Sequence, residues 1–139
     1  MKVLYSTTAV STGGRNGKVK VENSPLEFDM APPSDLAGTK AGVNPEQLFA
    51  AGYSACFGSA VQHFMRERKL PISSPTIQLT TRLGKNEADD FTLEVDIVAI
   101  FKGTDQDTAN ELVKEGHKIC PYSIATRGNV KVNVSAKVE

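Results

Sequence analysis

Asn44-Pro45-Glu46-Gln47 restricts this fold more than any other segment, because it starts a helix and the chain reads as helix from there to about Lys69. Asn44 can cap, Pro45 suits the first helical position, and Gln47 lies three residues after the cap, as a capping box requires. Phe49, Cys56, Phe57, Ala60, Val61 and Phe64 fall on one stripe at helical spacing. Arg66, Arg68 and Lys69 complement the macrodipole at the far end, and Pro71 follows the stop. A helix this apolar belongs at the centre of a fold, with the remaining elements built around it.

Those elements are mostly strands. Lys2 to Val10 is rich in β-branched residues and reads as a strand, and Gly13-Gly14-Arg15-Asn16-Gly17 is a hairpin turn that holds Arg15 on a loop tip. Lys18 to Val21 alternates, and Leu26 to Met30 follows Asn23-Ser24-Pro25 as a third strand, so the chain opens as a β-meander. Ala31 to Val43, with Pro32, Pro33, Gly38 and Gly42, is a covering loop. Thr76 to Leu83 and Phe91 to Phe101 form a second meander across Gly84-Lys85-Asn86-Glu87. A second helix begins at Thr104 as cap, with Ala109, Leu112, Val113 and Gly116 on its buried face, and Val130 to Val138 is the closing strand. Two β-meanders around a central apolar helix, with a second helix, make an α+β fold, expected as a single domain over residues 1–139.

A chain of 139 residues buries a core without disulfide staples, so Cys56 and Cys120 are not needed for folding. Sixteen basic residues balance sixteen acidic ones, which removes the field that attracts nucleic acid or an anionic membrane. The opening Met1 to Ser6 lacks the apolar core of a signal peptide, and no stretch reaches the ~20 apolar residues of a membrane span. The expected location is cytoplasmic, where thiols are kept reduced. The cysteine spacing fits neither C-x-x-C nor a zinc pattern, which leaves a long-range redox pair, a structural disulfide or two inert thiols. No metal or other cofactor is expected, and His63 and His117 read as surface or packing residues.

The surroundings of the two cysteines differ. Cys56 lies among Gly52, Ser54, Ala55, Gly58 and Ser59; a break around Gly52 to Ser54 would put it in the first turn of a new helix, where free N–H groups lower a thiol pKa. Cys120 ends its helix beside carbonyls, which suits a thiol that attacks an oxidised partner. Ten residues of unbroken helix would hold Glu46 about 15 Å from Cys56, so a joint role needs that break or two chains. A thiol hydrolase is disfavoured because His63, the nearest histidine in the helix, lies two turns on, about 10 Å from Cys56.

Asn44 through Phe57, together with Cys120-Pro121-Tyr122-Ser123, Ala125-Thr126-Arg127-Gly128-Asn129 and the Gly14 to Gly17 turn, strongly resembles the organic hydroperoxide resistance proteins (Ohr). These belong to the wider family that includes osmotically inducible protein C (OsmC). The resemblance implies an OsmC/Ohr-like intertwined homodimer with two active sites at the subunit interface. It also implies a cysteine-based peroxidase of the oxidative stress response, which reduces organic hydroperoxides, fatty-acid ones included, to alcohols. By position, Cys56 resembles the peroxidatic cysteine and Cys120 the resolving one, Arg15 the arginine that stabilises the thiolate, and Glu46 the carboxylate that orients that arginine. Phe49, Phe57, Phe64 and Met65 are candidates for an apolar substrate pocket near Cys56. The reductant implied is a dithiol, of the dihydrolipoyl kind carried by lipoylated proteins. Ile124 departs from the pattern, standing where asparagine is expected, and bears on the hydrogen bonding beside Cys120. The competing expectation is a non-enzymatic thiol redox sensor or binding protein of the wider OsmC family.

Overall fold

Lysine and valine alternate along Lys18–Val21, and this strand becomes the middle of a three-stranded antiparallel sheet. The computed structural model describes every residue from Met1 to Glu139 and divides into two units, Met1–Leu48 and Phe49–Glu139.

In the first unit, β1 (Ala9–Thr12), β2 (Lys18–Val21) and β3 (Glu27–Asp29) pair in that order. The strand expected from Lys2 begins only at Ala9. Ala9 faces Val21 and the Thr8 carbonyl still accepts from Glu22 N–H at 2.9 Å, but Asn23 then takes a left-handed φ of 54° and turns the neighbouring backbone away. Residues 2–7 therefore have no partner in β2, and Val3, Leu4 and Tyr5 are exposed. The β1–β2 turn is a 3-10 turn over Gly14–Asn16, entered through Gly13 at φ 77°, a conformation that glycine adopts without strain. After β3, Val43 N–H donates to Asp29 O and Ala31 N–H to Val43 O, so the loop closes on itself and delivers Asn44 to the helix start.

The capping box forms as expected. Asn44 N–H donates to Gln47 Oε1, and Gln47 N–H to Asn44 Oδ1, both at 2.9 Å. Helix α1 (Pro45–Glu67) then runs without the expected break. Ser54 and Ser59 do not divert the backbone, because their hydroxyls bond back to the carbonyls of Ala51 and Ala55 at 2.9 and 3.0 Å. Past the helix, Lys69 adopts a left-handed φ of 52° and Leu70 N–H returns to Met65 O, closing the end two residues before the expected stop.

The second unit holds β4 (Thr76–Lys85), β5 (Phe91–Phe101), α2 (Gln106–Ile119), α3 (Pro121–Thr126) and β6 (Lys131–Val138). The β4–β5 hairpin is antiparallel, and β6 returns parallel to β5 because the helices lie between them as a crossover. The cap of α2 is Asp105, one residue after the expected Thr104. Its carboxylate accepts from Thr108 N–H at 2.8 Å and from the Thr108 hydroxyl at 2.7 Å. As the middle strand, β5 buries Val95, Ile97, Ala99 and Phe101 against Tyr53, Phe57, Val61 and Met65 of α1 and Leu112 of α2. Each large apolar side chain sealed this way contributes roughly 1.5–3 kcal/mol. No helix is long and apolar enough to cross a membrane.

Candidate active site

Cys120 is the hinge between two helices. Pro121 cannot extend α2 and disfavours helical backbone at the residue before it, so Cys120 takes φ −59°, ψ 122°, closing α2 through its N–H to Gly116 O and opening α3. The short helix α3 was not anticipated from sequence, although Pro121 at a first helical position was a usable signal. The corner turns the Cys120 side chain inward, where it is fully buried.

Its Sγ lies 3.4 Å from Cys56 Sγ, Cys120 donating, and both thiols are free. A disulfide requires about 2.05 Å, so bonding needs the sulfurs to close by roughly 1.4 Å. Cys56 is half-buried, which makes it the one of the two that solvent or a small solute can reach.

Burial is the main influence on the Cys56 thiol and pushes its pKa up; the adjacent Cys120 adds to the rise, while the backbone N–H of Tyr122 pulls it down. The lowered pKa expected from a new helix start at Cys56 is thus not found in this arrangement. Helix α1 is continuous, and the N–H that lowers the thiol belongs instead to Tyr122, in the first turn of α3.

Tyr53, Ser123 and His117, none of them a candidate site residue in the sequence, hold α3 in place. Tyr53, one turn before Cys56 on α1, is fully buried, and its hydroxyl lies 2.8 Å from Ser123 Oγ. On its other side, Ser123 Oγ lies 2.9 Å from His117 Nδ1. His117 is half-buried, packs beside Phe57 and adds this polar contact to the packing role expected of it; burial, then the neighbouring Arg127, pushes its pKa down and favours the neutral ring. Phe49, Tyr53 and Tyr122 form an aromatic cluster with ring centroids 5.6–6.3 Å apart. Gly52 admits it, since a Cβ there would sit 3.1 Å from Tyr122 Oη.

The four pocket candidates separate in two ways. Phe57 and Met65 are sealed in the core, whereas Phe49 and Phe64 are partly buried and pack against it. Ile124 is exposed, and its N–H donates to Cys120 O at 2.9 Å, so the backbone hydrogen bond beside the cysteine is kept. His63 is exposed on α1, 3.6 Å from Glu67.

The other two candidates meet in the first unit. Arg15, on its turn, grips Glu46 with two parallel bonds, Nη1 to Oε2 at 2.8 Å and Nη2 to Oε1 at 2.6 Å. Glu46 is thereby held below the usual carboxylate range, and Arg15 is raised in turn. Because α1 is unbroken, the condition for Glu46 to share a site with Cys56 inside one chain is not met.

A family model described as OsmC-like protein matches residues 38–135. The chain belongs to the OsmC-like family. Organic hydroperoxide resistance protein OhrB of Bacillus subtilis is 42% identical to this OsmC-like chain over 135 residues, covering 96% of the chain and 98% of the relative. The crystal structure of that protein has a TM-score of 0.90 at 40% identity, covering 97% of this chain and all of the other. An organic hydroperoxide resistance protein from Elizabethkingia anophelis, crystallised with thiocyanate bound, has a TM-score of 0.94 at 41% identity over the full length of both chains.

Proposed function

We propose that this OsmC-like chain is a thiol-dependent peroxidase that reduces organic hydroperoxides to alcohols. The observation that carries the reading is the 3.4 Å contact between two free sulfurs, in a chain whose relatives are named for organic hydroperoxide resistance. The Cys56 thiolate attacks the distal peroxide oxygen, the O–O bond breaks, and the alkoxide leaves as alcohol after taking a proton. Cys56 is now a sulfenic acid. Cys120 attacks its sulfur, the S–O bond breaks, and the Cys56–Cys120 disulfide forms with loss of water. A dithiol of the dihydrolipoyl class, carried on a lipoylated protein, then exchanges with the disulfide and restores both thiols.

Cys56 takes the attacking role because it is the more accessible sulfur, and buried Cys120 the resolving one. Arg15 stabilises the thiolate and Glu46 orients Arg15 through its paired bonds. With α1 continuous, this arrangement calls for a homodimer in which the Arg15–Glu46 pair of one copy serves the cysteines of the other. Phe49 and Phe64 offer apolar surface to a bulky substrate, with Phe57 and Met65 behind them. Single-domain organisation over residues 1–139 and a reducing, cytoplasmic setting belong to the same reading.

Stopped-flow oxidation by an alkyl hydroperoxide tests it with wild type, Cys56→Ser and Cys120→Ser. Rapid oxidation should vanish without Cys56. Without Cys120 it should persist at the first turnover and lead to over-oxidation. Rapid peroxide reduction by Cys56→Ser would refute the assignment, and an inert wild type would favour a non-enzymatic thiol protein.

A further inference from the structure

The contact between the two sulfurs depends on where the first turn of α3 sits, and α3 has only six residues, too few to hold itself. What fixes it is a chain of three side chains, two of them fully buried, from three elements. The Tyr53 hydroxyl on α1 reaches Ser123 Oγ on α3 at 2.8 Å, and Ser123 Oγ reaches His117 Nδ1 on α2 at 2.9 Å. Tyr53 and Ser123 are 0% and 1% exposed, so neither hydroxyl has water as an alternative partner. The same turn is tied further along: Thr126 Oγ1 donates to Tyr122 O at 2.8 Å, and Arg127 Nη2 to His117 O at 2.9 Å.

We propose that Tyr53, Ser123 and His117 are positioning residues for disulfide closure: their chain holds the α2–α3 corner against α1, keeping Cys120 Sγ on Cys56. Ser123 is its centre, three residues after Cys120, and His117 lies three residues before it. Both flank the resolving cysteine, and their side-chain hydrogen bonds go to each other and to Tyr53 and not to either sulfur. Tyr53 anchors the chain one turn before Cys56 on the same helix. The neutral His117 ring suits this role, since one ring nitrogen can then accept from a hydroxyl; Arg127 faces it, and Phe57 packs beside it with ring centroids 6.5 Å apart. The inference rests on the proposed pairing of Cys56 and Cys120, and it concerns the second step, not the attack on peroxide.

Diamide, a thiol oxidant that closes dithiols without peroxide, separates this inference from the peroxidase reading. Closure of reduced wild type by diamide is followed by loss of free thiol, alongside Tyr53→Phe, Ser123→Ala, His117→Leu and His117→Asn. Ser123→Ala should slow closure about tenfold, the scale set by losing buried hydrogen bonds at one centre. Tyr53→Phe, which keeps the ring and removes one hydroxyl, should slow it several-fold and carries the test if Ser123→Ala does not fold. His117→Asn, which keeps a polar atom near the Nδ1 position, should recover most of the rate lost in His117→Leu. Wild-type closure rates in both Tyr53→Phe and Ser123→Ala, or no difference between His117→Asn and His117→Leu, would overturn the proposal. A wild type that closes with diamide but ignores hydroperoxides would overturn the peroxidase reading alone.

Discussion

The Arg15–Glu46 pair and the Cys56–Cys120 pair are held in opposite ways. Arg15 rides on a glycine turn with 44% of its side chain exposed, and its partner Glu46 sits in the first turn of a helix. The cysteines sit against a sealed core that includes Tyr53, Phe57 and Leu112. An exposed ion pair contributes at most about 1 kcal/mol and is screened by salt, even when its geometry is bidentate. A core side chain lost from a packed interior costs several times that. The first pair can open and close at little cost to the fold. The second is set in place before any substrate arrives.

Variants in the two regions should separate accordingly. The largest effect belongs to Cys56→Ser, which should abolish peroxide-driven oxidation in stopped flow while the fold persists. Next, Phe57→Ala, at a fully buried position, should cost about 3–5 kcal/mol of stability by urea denaturation. Arg15→Ala should cost less than about 1 kcal/mol in the same assay yet lower the rate of Cys56 oxidation sharply; an unchanged rate would return Arg15 to the solvent.

The two smaller effects concern pH. His117 is held below its ordinary pKa in the fold, so the unfolded chain binds the extra proton first. Its contribution is complete above about pH 6.5 and is lost as pH falls through the folded value; the loss should be absent in His117→Asn when midpoints are compared across that window. Glu46 is also lowered, by its Arg15 bonds. Its contribution is full above the unfolded carboxylate value, near pH 4.3, and fades as pH falls through the folded one. Being partly exposed, it should amount to a few tenths of a kcal/mol, and Glu46→Gln should remove most of it.

Features built from neighbouring residues were legible in the chain. The Asn44–Gln47 box formed as read because both partners lie within one helical turn. The β4–β5 hairpin followed from alternation either side of a turn. Errors arose where the outcome depended on something distant. Gly52 suggested a break before Cys56, but its missing side chain makes room for Tyr122, seventy positions away. Lys2 to Val10 has strand composition, yet pairing stops where Asn23 turns the neighbouring strand aside. His117 was legible as a packing residue, but nothing local announces Ser123 Oγ as its partner.

Caps, periodicity, turn chemistry and the residues available for thiol chemistry were determined by the chain alone, since each depends on groups a few positions apart. Packing decided that Ser123 joins Tyr53 to His117, and that Cys56 and Cys120 meet across sixty-four positions. The physical reason is range. A hydrogen bond within one turn is set by local backbone geometry, whereas a contact between distant segments forms only when burying their apolar faces outweighs the entropy of bringing them together.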